Sequence, residues 1–369
     1  MMRGLKKSLA VLAFSFVLAP VAMAQSIPDW QKTWDETLKA AKEEGKVVVV
    51  GQPSPAMRNV ILPAFTKKYG IPVELIAGQT STIVGKIRTE RGSGIYSADV
   101  FMSNASTSVV TLYGEKMLDP LKPLLLQPEV TEGKYWKKGA PYFADPERAY
   151  LLILFASVDS LLFINTDFVK PEELRSAKDL LNPKWKGKIS TEDPRLPGGS
   201  GVQSAVHFYT QMGPEFVKQL YVDQQPVIQR DRRILTDWMA RGTQPICLTC
   251  HIDDARDLMK EGYKLVEVFE LSDMKNRITP TPSVLSYANK APHPNAAKIF
   301  VNWMASKEGL ELYSHESQSA TLRTDVDESF LDQHIIPKPG NDYVDNTDLE
   351  WVAKGQKETA DKMRALLKK

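Results

Sequence analysis

A run of four valines, Val47–Val50, is the feature that most constrains the fold of this chain. Four β-branched residues in succession favour a strand buried on both faces, which is the environment of a central parallel strand. A segment of helical spacing, Trp30–Glu44, precedes the run. Alternating helices and strands are predicted after it, at Ala56–Tyr69, Ile71–Ile76, Thr82–Arg91 and Ala98–Met102. This order predicts an α/β protein with a doubly wound parallel sheet covered by helices on both faces.

The second half of the chain predicts another α/β unit. Ala149–Ile164 is long, apolar and β-rich but is broken by the polar Ser157–Ser160, so it can leave one lobe and enter another. Asn276–Ala288 is extended and is the candidate return crossing. Helices are predicted at Pro171–Leu181, Val202–Met212, Arg233–Arg241 and Asp253–Glu261, and strands at Gly187–Thr191, Gln244–Leu248 and Leu265–Val268. Three further helices are predicted near the end, at Pro294–Ser306, Lys307–Ser314 and Leu349–Lys369.

The first 24 residues have the parts of a secretory signal peptide. Met1–Lys7 is basic, Ser8–Val21 is apolar and uncharged, and Ala22–Ala24 has the small residues that precede a signal-peptidase cut. A retained membrane anchor is the alternative, but the apolar run is too short to span about 30 Å of hydrocarbon comfortably. We therefore expect cleavage before Gln25 and a periplasmic mature protein.

The balance of charge gives no support to polyanionic partners. The chain has 47 Lys and Arg against 45 Asp and Glu, and three of the basic residues lie in the predicted signal peptide. A nearly neutral mature protein has no general electrostatic reason to bind nucleic acid or an anionic membrane.

Two cysteines, Cys247 and Cys250, are the only ones in the chain and are followed by His251. In an oxidising compartment such a pair is normally a disulfide. Residues three apart on a continuous strand are separated by about 10 Å, so this pairing requires the chain to turn after Leu248. Cys-x-x-Cys-His is also the attachment signature of c-type haem. A disulfide, a free pair and a haem-carrying electron-transfer protein remain open at this point.

Several stretches resemble the periplasmic solute-binding proteins of ABC importers, in the extracellular solute-binding family 1 that includes ferric-iron-binding proteins. The resemblance lies in Glu44–Val50, Ala64–Glu74, Ile87–Gly94, Ala98–Phe101, Phe163–Thr166, Lys178–Ile189 and Ala291–Trp303. It implies the type II periplasmic binding protein fold, in which two α/β lobes joined by two hinge crossings close over a solute. It also implies delivery of that solute to the transmembrane subunits of a permease. We expect a monomer without a cofactor.

The crossings, placed near Ala156–Asn165 and Thr279–Ala288, divide the chain into domains. After the signal peptide at 1–24, the N-terminal lobe is expected to comprise 25–155 and 285–325. The C-terminal lobe is expected to comprise 156–284 and 326–369.

The identity of the solute depends on the segment after the strand that ends at Leu248. Iron-binding members of the family that the chain resembles have two adjacent tyrosines there. This chain has Thr249–Asp253 instead, without a tyrosine. Tyr287 is a lone tyrosine on the return crossing, and Asp253 is as good a helix cap as a metal ligand. We therefore expect no bound metal, and a ferric-iron-binding protein is the second hypothesis.

An anion is the preferred solute because a glycine-rich loop follows a predicted strand and opens a helix. Gly198–Gly201 lets backbone N–H groups approach a ligand closely, and a helix N-terminus favours negative charge. Arg195 adds a guanidinium that suits a carboxylate or phosphate, and Gly199 and Ser200 complete the predicted anion site. A flexible loop with a surface arginine is the alternative interpretation.

Other candidate ligand-binding residues lie mostly at strand ends and at junctions between loops and helices, where plain N-capping is the alternative role. They are Ser54, Arg58, Thr80, Ser81, Ser103, Asn104, Asn165, Arg230, Thr249 and His251. None of the five histidines lies in a recognisable catalytic motif, so we predict no catalytic residues and expect a binding protein rather than a hydrolase or lyase.

Overall fold

Three β-sheets organise the structure, which is a computed structural model that describes residues 29–51, 54–78, 80–196, 199–349 and 351–367. The predicted signal peptide lies outside these residues. Within the described ranges, no helix is long and apolar enough to cross a membrane.

The strands and helices alternate along most of the chain. The strands are β1 (Val47–Gly51), β2 (Val73–Ala77), β3 (Val100–Ser103), β4 (Leu118–Asp119), β5 (Tyr142–Phe143), β6 (Leu152–Ile153), β7 (Ser157–Val158), β8 (Leu162–Asn165), β9 (Ile189–Thr191), β10 (Val227–Ile228), β11 (Ile246–Cys247), β12 (Leu265–Val268), β13 (Arg277–Thr279), β14 (Val284–Ala288) and β15 (Val344–Asp345). The α-helices are α1 (Asp29–Glu44), α2 (Leu62–Tyr69), α3 (Thr80–Gly92), α4 (Pro128–Thr131), α5 (Ser200–Lys218), α6 (Arg232–Ala240), α7 (Ile252–Lys260), α8 (Pro294–Ala305), α9 (Lys307–Ser317) and α10 (Gln356–Leu366). One-turn π segments precede α2 and α10, at Met57–Ile61 and Trp351–Gly355.

The first lobe is built on a sheet of order β2-β1-β3-β14-β6-β5, with β4 paired to the end of β14. The valine strand β1 lies between β2 and β3 and is parallel to both, as its apolar run predicts. Helix α8 packs on this sheet and α1 packs against α8, and the core includes Phe65, Phe101, Phe300 and Trp303.

The second lobe is built on a sheet of order β10-β9-β11-β8-β12. Strand β9 is parallel to β10 and β11, while β8 enters from the first lobe and runs antiparallel to both β11 and β12. Its core includes Ile164, Leu180, Phe208 and Val217. The predicted α/β class is therefore confirmed in both halves.

A third, small sheet joins the lobes. The two crossings, β7 and β13, pair with each other as antiparallel strands, and β15 adds a parallel third strand beside β13. The C-terminal segment then contacts both lobes, because Leu349 and Val352 pack into the first core while Ala360 and Met363 pack into the second. The expected division into domains stays a prediction.

One predicted helix is wrong. Pro171–Leu181 forms two short 3₁₀ turns, Pro171–Glu173 and Ala177–Leu181, instead of one α-helix. The Asp179 carboxylate accepts the N–H group of Ser176 at 2.8 Å, so the chain caps and restarts inside the predicted helix.

Candidate functional site

A cleft of about 410 Å³ lies between the lobes, beside the crossings. We call it the interlobe cleft. From the first lobe and its connections it is lined by Ser54, Met57, Met102, Ser283, Tyr313 and Gln318. From the second lobe and the first crossing it is lined by Asp159, Arg232, His251, Asp253, Arg256 and Lys260. The loop after β1 thus faces the amino end of α7 across the interlobe cleft.

The first-lobe wall offers hydroxyl groups. The Ser54 hydroxyl accepts the N–H group of Met57 at 3.2 Å and so caps the helix that follows β1. The hydroxyls of Ser283 and Tyr313 lie 3.4 Å apart. Burial raises the pKa of Tyr313 to about 12, so its phenol is protonated at neutral pH. This wall can donate hydrogen bonds to a ligand.

The second-lobe wall presents the amino end of α7. His251 is the N-cap of this helix, and its Nδ1 accepts the N–H group of Asp254 at 3.4 Å. Its backbone N–H donates to the hydroxyl of Thr236 on α6 at 3.0 Å. Helix N-termini carry partial positive charge that favours an anionic group, but at this end of α7 the first-turn carboxylates Asp253 and Asp254 oppose a further negative charge.

Arg232 is the first residue of α6 and faces the cleft. Its Nε donates to the carbonyl oxygen of Thr249 at 2.9 Å, and its Nη2 donates to that of Cys250. Burial lowers the pKa of Arg232, against the opposing effect of nearby carboxylates, of which Glu192 is the strongest. The guanidinium nevertheless stays protonated.

The other cations of the cleft are already paired. Arg256 donates to Glu267 at 2.8 Å, and Lys260 donates to Asp257 at 2.9 Å. In the part of the chain that the structure describes, no carboxylate forms an ion pair with Arg232. The carboxylates near Arg232, such as Glu192, act on it without direct contact, so an anionic ligand that binds the guanidinium would offset more of the cost of burying it.

The structure brings two of the sequence-predicted residues, Ser54 and His251, into the lining of the cleft. Of the other predicted residues, Arg58 and Arg230 are exposed to solvent outside the cleft lining. The amide of Asn165 donates to the carbonyl oxygen of Ala240 at 2.9 Å and is buried in the second lobe.

Three further predicted residues make hydrogen bonds within their own lobe, outside the cleft lining. The Ser103 hydroxyl lies 2.7 Å from that of Ser108, and Asn104 accepts the N–H group of Thr107 at 2.9 Å. Thr249 accepts the N–H group of Glu192 at 2.6 Å. The side chains of Thr80 and Ser81 lie outside the described part of the structure.

The predicted anion loop already forms hydrogen bonds with two carboxylates of the chain, those of Asp193 and Glu192. Arg195 donates through Nε to Asp193 at 2.8 Å, and its side chain is half exposed, away from the cleft lining. Glu192 accepts the N–H group of Gly201 at 2.9 Å at the amino end of α5. A Cβ atom built at Gly199 would lie 2.7 Å from the Glu192 carboxylate. Glu192 therefore occupies the space beside Gly199, next to Ser200, in which an anion would bind. The anion-binding role of this loop stays a prediction, and it requires Glu192 to move.

Cys247 and Cys250 form a disulfide with Cα atoms 5.7 Å apart, so the chain turns after Leu248. Both residues are buried. With both sulfur atoms joined, neither is available for a thioether bond to haem, and His251 serves as a helix cap.

The ferric-iron hypothesis depends on where tyrosines lie, because the iron-binding members have two adjacent tyrosines as ligands. Tyr313 is the one tyrosine among the described residues that line the cleft. Tyr287 is buried in the first lobe, and burial raises its pKa to about 12. Among the residues that the structure covers, no group of three or more His, Cys, Asp or Glu could hold a metal ion.

Two α/β lobes joined by crossing strands around a polar cleft define a periplasmic binding protein of type II. Residues 49–311 match the family of bacterial extracellular solute-binding proteins, and the chain belongs to this family. The resemblance in the sequence is therefore confirmed. The chain is a periplasmic solute-binding protein of the kind that serves ABC importers.

Known proteins similar to this chain differ in what they bind. AfuA of Actinobacillus pleuropneumoniae, solved with fructose-6-phosphate, is 18% identical with a TM-score of 0.67, over 88% of this chain and 99% of that one. Iron-bound HitA of Pseudomonas aeruginosa is 17% identical with a TM-score of 0.62, over 87% and 99%. Iron uptake protein A1 of Synechocystis is 26% identical over 36% of this chain, and the match spans about a third (33%) of that relative. At these identities the solved structures show the fold alone.

Proposed function

We propose that this protein captures a small organic or phosphorylated anion between its lobes and delivers it to the transmembrane subunits of an ABC permease. One observation carries the proposal: Arg232 faces the interlobe cleft without a carboxylate partner among the described residues. The similarity to AfuA, which binds a phosphorylated sugar, supports it at the level of fold. Export through the signal peptide at 1–24 belongs to the same proposal.

The two walls suit different parts of such a ligand. The anionic group would contact Arg232, where charge-assisted hydrogen bonds are strong. Hydroxyl or carbonyl groups of the ligand would contact the first-lobe wall at Ser54 and Ser283. A ligand that touches both walls stabilises the closed state over the open state, and this difference in affinity drives closure.

Substitution of Arg232 tests the proposal. Fructose 6-phosphate is titrated by calorimetry into the wild type, Arg232→Ala and Arg233→Ala. Arg233 is a matched control because it is the next residue of the same helix and its side chain is 75% exposed. We expect Arg232→Ala to weaken binding at least about tenfold, the value of a charge-assisted hydrogen bond, and Arg233→Ala to leave it unchanged.

Equal loss in the two variants, or none in either, would contradict the role of Arg232. Visible absorbance after ferric loading, with no binding of the sugar phosphate, would favour the iron hypothesis instead.

A further inference from the structure

We propose that the Cys247–Cys250 disulfide positions Arg232 for ligand binding, so that the affinity of the cleft for anions falls when the disulfide is opened. The inference rests on the proposed function for its effect on affinity. Its structural part, the placement of the Arg232 guanidinium, is independent of any ligand.

The acceptors that hold Arg232 belong to the loop that the disulfide closes. The loop runs from Cys247 to Cys250, and the carbonyl oxygens of Thr249 and Cys250 accept from Nε and Nη2 of Arg232. These bonds use two of the five guanidinium N–H groups. The remaining three are the groups with which a planar guanidinium can bind a carboxylate or phosphate.

The same loop is docked on α6, the helix that carries Arg232. The Sγ atom of Cys250 lies 3.9 Å from the Sδ atom of Met239, and the N–H group of His251 donates to Thr236. The loop is therefore connected to α6 at the guanidinium, at Thr236 and at Met239. A change in the conformation of the turn would therefore move the carbonyl groups that hold Arg232.

The disulfide joins the two ends of the turn directly, in addition to the hydrogen bonds that Leu248, Thr249 and His251 make. A continuous strand would separate the two Cα atoms by about 10 Å, so the tight turn is a departure from the strand. At the start of the loop, the N–H group of Leu248 donates to the carbonyl oxygen of Ser190 at 2.9 Å, which keeps the end of β11 beside β9. Opening the disulfide should free the turn and its carbonyls while the lobe stays folded.

Reduction by a neutral dithiol opens the bond without adding an anion that would compete for the cleft. Dithiothreitol supplies two electrons and two protons, the sulfur–sulfur bond breaks to give two cysteine thiols, and the reagent becomes its cyclic disulfide. Because Cys247 and Cys250 are the only cysteines, no other bond is affected.

The test compares how fast phenylglyoxal modifies Arg232 and Arg233, by peptide mass spectrometry. The samples are oxidised wild type, dithiothreitol-reduced wild type and the double variant Cys247→Ala/Cys250→Ala, each checked for folding by circular dichroism. We expect the ratio of Arg232 to Arg233 modification to rise about tenfold when the disulfide is absent, since a charge-assisted hydrogen bond is lost. Affinity for fructose 6-phosphate should fall by a similar factor.

An unchanged modification ratio in folded samples would overturn the positioning role. A raised ratio with unchanged affinity would overturn the claim about anion binding. A raised ratio in a protein that binds no anion would contradict the proposed function and leave the positioning of Arg232 supported.

Discussion

His207 is a titratable side chain enclosed in the second lobe near the crossings. Its Nε2 lies 3.0 Å from the carbonyl oxygen of Lys275, to which it donates when the ring is neutral. Burial, with a smaller effect of the Arg277 guanidinium, lowers the pKa of His207 to about 3. The imidazole is therefore neutral in the folded protein at any pH near neutrality.

This lowered pKa predicts a dependence of stability on pH. Between pH 6.5 and 3 the unfolded chain binds a proton at His207 that the folded chain does not, so the free energy of unfolding falls as the pH falls. From pH 7 to pH 5 the wild type should lose about 2 kcal/mol more than His207→Gln, which keeps a donor but does not titrate. Urea unfolding at the two pH values measures this difference. Equal losses in the two proteins would show that His207 does not carry the effect.

Some of the residues predicted near strand ends line the cleft and others, such as Ser103 and Asn104, do not, and the ligand-binding role of all of them stays a prediction. Ser54 after β1 and His251 before α7 both reach the interlobe cleft. The candidate residues include Arg230 but not Arg232. The N-cap Asp231, which accepts the N–H group of Arg233 at 2.9 Å, was the available signal, since it places Arg232 in the first turn of α6.

At the scale of elements, the C-terminal helix α10 contributes to the second lobe by packing against α5. Met363 is fully buried in that core, whereas its neighbour Lys362 is exposed. Met363→Ala removes buried methylene groups and should cost about 3 kcal/mol, while Lys362→Ala should cost almost nothing. Urea denaturation followed by circular dichroism compares the two variants. A negligible cost for Met363→Ala would mean that α10 does not support the lobe.

Elements with strong local signals were predicted well, and those shaped by side-chain hydrogen bonds were not. Strand β1 follows from its valines, and α1 ends at Glu44 as predicted, next to Gly45, which has a φ of 81°. The interruption inside 171–181 depends on Asp179 and on Asp273, which accepts the N–H group of Ala177 at 2.6 Å. Asp273 is far away in the sequence, so no local pattern could have shown its effect.

At the scale of the whole molecule, the pairing of β7 with β13 brings the walls of the cleft together. Asp159 follows β7 and lines the cleft, and the Nη2 atom of Arg277 on β13 donates to it at 2.6 Å. The interlobe cleft therefore adjoins the crossings about which the lobes would move. Sequence patterns predicted both crossings, but their pairing and the addition of β15 are tertiary facts that a single sequence does not carry.

Intact mass, measured under native and then denaturing conditions, tests the central claim most directly. Wild type and Arg232→Ala are each exposed to a low-molecular-weight extract of the cells that make the protein and then freed of unbound solutes. We predict that the wild type carries the extra mass of a small acid, which denaturation removes, and that Arg232→Ala carries none. Equal extra mass on both proteins, or extra mass that survives denaturation, would contradict capture of an anion by Arg232.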